Sequence, residues 1–215
     1  MDCDRSPDSF SAHSNRSAPA EYWHQAPGPN ADFARRGSQY LAVLRDLAIQ
    51  PGWISLVHIA DPPGAVLNWI GQHIHQVNQQ LNGVLIDLLD CFEPAQRPQV
   101  QVLAAPIAPQ AGVDGFCNHR TNPITLMVDP GHIVPADWPG LVAHELAHAV
   151  SESSDRRGGL GQGHSERFSR AIAHLCLAQD LPLPAPDLEA QALSYWPPCR
   201  RAPQPEQFWL GQRPE

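Results

Sequence analysis

His144, Glu145 and His148 are the residues whose types and spacing point most directly to chemistry. They stand in the run His144-Glu145-Leu146-Ala147-His148, an HExxH motif. On a helix, residues four apart are separated by about 400°, so both imidazoles leave the same face about 40° apart. That suits two nitrogens converging on a tetrahedral zinc ion at ~2.0–2.1 Å. Glu145, beside the first ligand, is placed to act as general base toward a water that the metal activates. The reaction this predicts is metal-assisted hydrolysis.

The surrounding residues favour a buried helix over about 138–153. From Trp138 to Val150 the only charged residue is Glu145. Val142, Leu146, Ala149 and Val150 fall on one stripe at about 100° per residue, and the two histidines lie on the other side. Two histidines and a carboxylate on such a helix need partners, and a metal supplies them together. The alternative is a pair of core histidines bonded to backbone carbonyls, with Glu145 in an ion pair.

A third ligand is expected downstream. His164 follows the glycine-rich stretch 156–163 and begins a predicted helix over 164–180, where His164, Phe168, Ala171, Ile172 and Leu175 share a stripe. Glu166, the other candidate, points about 200° away from His164. His164 is preferred. Three histidines leave a fourth position for water, the mark of a catalytic site and not a closed structural one.

The segments HELAHAV and GHSERF, joined by the glycine-rich gap, resemble the SprT/Spartan-like branch of small zincin metallopeptidases. The resemblance covers about 124–178. It implies that His144, His148 and His164 are the zinc ligands, Glu145 the general base and Phe168 a packing aromatic. It also implies that the strand at 124–129 is an edge strand holding an extended peptide by β-augmentation. Ser165-Glu166 stands where the branch has Gly-Pro, and no CxxC pair provides a downstream zinc ribbon. Ser154 stands where the metzincin pattern has its third histidine.

The elements that must position these residues read as an α+β fold. Asn30 is expected to cap a helix over 31–49. The run 65–92 carries Leu67, Ile70, Ile74, Val77, Leu81, Leu85 and Leu88 in three- and four-residue steps and predicts a long core helix. Segments 100–108, 112–118 and 124–129 predict three short strands, mostly antiparallel because their connections are short. The expected architecture is a zincin-like minidomain with a small three-stranded sheet. The HExxH helix is followed by the helix with the third ligand, and two N-terminal helices pack around both. Residues 1–29 are expected to be a disordered tail, 30–180 the single metallopeptidase domain and 181–215 a Pro-rich tail along the surface.

Composition narrows the function. The chain has 215 residues and a formal charge of −8, and all 14 basic residues are Arg. An acidic balance argues against a broad grip on nucleic acid, though Arg156, Arg157, Arg167 and Arg170 form a local basic cluster. The five scattered cysteines contain no CxxC pair and read as reduced thiols. With no secretory signal and no apolar run long enough for a membrane span, a cytoplasmic protein is expected.

The function expected is a zinc-dependent metallopeptidase acting on a peptide or protein substrate. The alternative is a catalytically inactive, zinc-stabilised binding module for a protein or nucleic-acid partner. A hydrolase of a non-peptide amide would use the same residues. His119 and His132 are candidates to line the cleft, and Tyr195 and Arg120 to stabilise an oxyanion. His73, His75 and His174 read as polar-face or surface residues, and Cys176 as a buried small hydrophobe. Sequence does not fix the oligomeric state.

Overall fold

The computed structural model describes residues 20–60, 62–151, 164–185 and 188–212. Helix α1 spans Phe33–Leu47 and is capped by Asp32, not Asn30. Asp32 has extended backbone and its carboxylate accepts from the Arg35 amide at 3.0 Å. A negative side chain there also suits the positive end of the helix dipole. Helix α2, Gly64–Leu89, follows the predicted period from Ile70 on: Ile70, Ile74, Val77, Leu81, Leu85 and Leu88 are buried, while at its start Val66 is buried and the expected Leu67 only partly so. His75, expected on the polar face, is buried as well.

The two helices touch backbone to backbone at two glycines. A Cβ on Gly37 would lie 2.1 Å from the Leu67 carbonyl oxygen, and one on Gly71 would lie 1.9 Å from that of Phe33. Both contacts involve main chain, which cannot rotate away. A Gly71→Ala variant is therefore expected to lose roughly 3 kcal/mol, because α1 must shift off α2. Urea unfolding of the two proteins checks this, and equal midpoints would mean the helices slide apart freely.

The sheet is small and mixed. Strands β1 (Val100–Ala104), β2 (Gly115–Asn118) and β3 (Ile124–Val128) lie in the order β1-β3-β2. β2 and β3 pair antiparallel, but β1 and β3 pair parallel in the register Val100–Ile124 to Ala104–Val128. This corrects the mostly antiparallel expectation. The chain from 105 to 123 includes β2 itself and exceeds the ~12 residues that a parallel crossover needs. It also corrects the expected edge strand: β3 is central, bonded on both sides and buried along most of its length. Among the described residues β2, which packs beside the helix over Trp138–Ser151, pairs with β3 alone and has its other edge unpaired.

Two further helices complete the core: α3, Trp138–Ser151, and α4, Glu166–Ala178. α3 packs on α2, β2, β3 and α4. Tyr40 and Asn78 tie α1 and α2 to the end of β1. The Tyr40 hydroxyl donates to the Ala104 carbonyl at 2.7 Å, and Asn78 Oδ1 accepts from the Ala104 amide at 2.9 Å.

The Pro-rich C-terminal segment is built into the molecule. It carries short helices α5 (Ala190–Leu193) and α6 (Pro205–Trp209), with Leu193 and Trp209 buried in the core. Among the described residues no helix is long and apolar enough to cross a membrane, and Cys91, Cys176 and Cys199 are free thiols. The expected tail over 1–29 falls mostly outside the described residues, although 20–24 form a 3-10 turn whose Trp23 is buried.

Candidate metal centre

α3 presents His144 and His148 one turn apart, while Val142, Leu146 and Ala149 anchor its opposite side in the core. His164 comes from the chain just ahead of α4. Ser165 occupies the cap position with extended backbone, so His164 stands outside the helix that sequence periodicity assigned it to. One candidate ligand nitrogen from each histidine lies within 4.8 Å of the other two. Phe168, fully buried on the first turn of α4, backs all three rings at centroid distances of 5.1, 4.6 and 4.6 Å.

The hydrogen bonds set the His144 tautomer and are compatible with the same one for His164. His144 Nδ1 lies 2.7 Å from the Trp196 carbonyl oxygen. A carbonyl only accepts, so Nδ1 carries the proton and Nε2 keeps a lone pair. His164 Nδ1 lies 3.2 Å from Ser194 Oγ, whose own hydroxyl donates to the Ala190 carbonyl at 3.5 Å. That leaves Ser194 Oγ able to accept from the second Nδ1, the tautomer a metal-bound His164 needs. The two Nε2 atoms then face one another 3.4 Å apart as lone-pair donors. They cannot hydrogen-bond to each other in that state, and a cation between them resolves the contact. Burial holds the His144 pKa down to about 3, helped by the nearby His148 charge. It therefore stays neutral at ordinary pH, as a metal ligand must. The triad fits a metal ion, with Trp196 and Ser194 orienting two ligands from behind.

Glu145 is buried, 4% exposed, and lies against β2. A Cβ on Gly115 would fall 2.8 Å from Glu145 Oε1, so any larger residue there would displace the carboxylate from its present position. Burial pushes the Glu145 carboxyl up to about 7, with the His148 charge opposing it.

A strap from the C-terminal segment runs along α3. Pro197 and Cys199 close over Gly140, where a Cβ would meet Cys199 Sγ at 2.9 Å. Arg200 makes three hydrogen bonds to the Asp137 carboxylate at 2.7–2.9 Å, and Arg201 pairs with Asp114.

The remaining candidates separate cleanly. Glu166 is exposed and pairs with Arg170, away from the histidines. Of the basic cluster, Arg156 and Arg157 lie outside the described residues, as do the glycine-rich stretch and Ser154. His132 does not offer a free nitrogen to a cleft: Nδ1 bonds Asp114 at 2.9 Å and Nε2 lies 3.7 Å from Asp129. His119 contacts Cys117 Sγ at 3.4 Å. Tyr195, 74% exposed, sits between Ser194 and Trp196. Sequence reasoning missed Ser194, the Trp196 carbonyl and Gly115. The only signal for the last was a glycine inside a predicted strand.

No protein-family profile, characterised protein or solved structure matches this chain.

Proposed function

We propose that the protein is a zinc-dependent metallopeptidase of the zincin type, with His144, His148 and His164 as metal ligands and Glu145 as general base. The observation that carries the reading is the facing pair of His144 and His164 Nε2 atoms at 3.4 Å. Two nitrogens bound to a tetrahedral zinc at ~2.0–2.1 Å stand ~3.3–3.4 Å apart. Three protein ligands also match the catalytic form of the site, in which one position serves water or substrate. Zinc held there supplies Lewis acidity, polarising a scissile carbonyl and easing deprotonation of the attacking water.

This chain's residues do the rest. A Glu145 Oε atom accepts the proton of the attacking water and passes it to the leaving nitrogen. Gly115 leaves room for that carboxylate beside the strand. An extended substrate adds along the unpaired edge of β2, next to Glu145, through main-chain hydrogen bonds. The thiols of Cys91, Cys176 and Cys199 suit a reducing compartment, and the reading places the protein in the cytoplasm.

The test is cleavage of an unfolded protein substrate by the full chain. Cleavage should stop on addition of a chelator and return with zinc. No cleavage at any zinc loading would overturn the peptidase reading and leave a zinc-stabilised, non-catalytic module.

A further inference from the structure

We infer that Ser194 is a positioning residue for the third metal ligand, and that the segment 188–201 is a working part of the metal centre. The inference rests on the three-histidine metal site proposed above.

The three ligands are held in different ways. His144 and His148 project from the middle of α3, where the helix fixes their backbones. The Trp196 carbonyl, a main-chain group, additionally fixes the His144 ring. His164 lies outside α4, just before its Ser165 cap. Its ring is set by contact with Phe168 and by the Ser194 hydroxyl. Ser194 Oγ accepts the Nδ1 proton while its own proton goes to the Ala190 carbonyl. With Ser194 as acceptor, the lone pair of Nε2 is turned to the metal position. Removing the hydroxyl lets the ring turn and lets the proton move to Nε2, where it competes with the metal.

The platform beneath Ser194 is anchored on both sides. Leu193 is buried, Trp196 Nε1 donates to the Pro182 carbonyl at 2.9 Å, and Arg200 is clamped to Asp137 at the start of α3. Both ring-orienting groups, Ser194 and the Trp196 carbonyl, thus come from one short segment about 30 and 50 residues from the histidines they hold. Groups behind a metal ligand commonly contribute 10–100-fold in affinity. Ser194 is exposed, so water replaces it in part and the expected loss is about tenfold, the low end of that range.

The experiment is zinc affinity of the full chain by competition with a chromophoric chelator, for wild type, Ser194→Ala and Ser194→Thr. Melting temperatures are recorded for the metal-free and zinc-loaded forms of each. The expected result is about tenfold weaker zinc binding in Ser194→Ala. Affinity close to wild type is expected for Ser194→Thr, with equal metal-free melting temperatures throughout. Unchanged affinity in Ser194→Ala overturns the inference. So does an equal fall in its metal-free and zinc-loaded melting temperatures, which would make the role structural. Failure of the wild type to bind zinc at all would instead overturn the metal assignment beneath it.

Discussion

Glu145→Gln is expected to keep its metal and lose hydrolysis by roughly 10²–10⁴-fold, the range associated with a positioned general base. The amide has the shape of the carboxyl and fits the same space against Gly115, whose would-be Cβ lies 2.8 Å from Glu145 Oε1. It cannot take a proton from water at neutral pH. Neither the histidine geometry nor the packing of α3 has reason to change. Turnover of the unfolded substrate and zinc content per chain are measured on the same samples. A parallel loss of zinc and activity would show that Glu145 serves the structure of the site, and unchanged turnover would remove it from the reaction.

Asp129→Ala is expected to cost roughly 3–5 kcal/mol of stability. Asp129 is 1% exposed at the end of β3. Its carboxylate accepts from the Ile107 amide at 2.8 Å, the Gly131 amide at 2.9 Å and Trp209 Nε1 at 3.0 Å. It therefore joins the chain after β1, the turn after β3 and the C-terminal helix α6. Truncation leaves three buried donors without an acceptor, each costing about 1–3 kcal/mol. Urea unfolding of the metal-free proteins measures the difference, and a cost below about 1 kcal/mol would mean the three segments are held independently.

The same cluster carries a pH dependence. Burial raises the Asp129 carboxyl from 3.8 to about 6, against the His132 charge and its hydrogen bonds. For His132, burial works against the charged ring, but the hydrogen bond to Asp114 and the charges of Asp129 and Asp114 outweigh it, so its pKa is raised above 6.5. A raised histidine gives stability that is fully present below its unfolded value and lost as pH rises through its folded value. A raised carboxyl likewise gives stability at low pH that is lost as pH climbs from 3.8 through about 6. Both terms have the same sign. The stability advantage of wild type over Asp129→Asn should therefore shrink as pH rises from 3.8 through about 6, and further as His132 loses its proton above 6.5. A gap independent of pH would contradict the assignment.

What was legible in the sequence was local and periodic. The i, i+4 pair on α3 and the long apolar stripe of α2 follow from 3.6 residues per turn, which tertiary context left intact. His164 was found because a polar residue on an otherwise apolar stripe needs a partner, although it lies just outside the helix that the stripe implied. What was not legible depends on which distant segments meet. The parallel pairing of β1 with β3 follows from a crossover containing β2, and period-two patterning does not encode strand order. The composition of 181–215 matches a surface tail. Yet Trp209 fills the core, and Ser194 and Trp196 reach His164 and His144 from there. The close approaches at Gly37, Gly71 and Gly115 are equally silent in sequence, since a glycine in a helix or strand does not say what lies against it. The α1 cap fell two residues late because Asn30 and Asp32 are both good caps, and local sequence does not rank them.

Zinc content per chain in wild type and His164→Ala, purified side by side and assayed by elemental analysis, tests the central claim most directly. One zinc per wild-type chain and a marked loss in the variant are predicted. No zinc in the wild type, even after refolding with the metal supplied, would contradict the account and return His144 and His148 to the core as ordinary buried histidines.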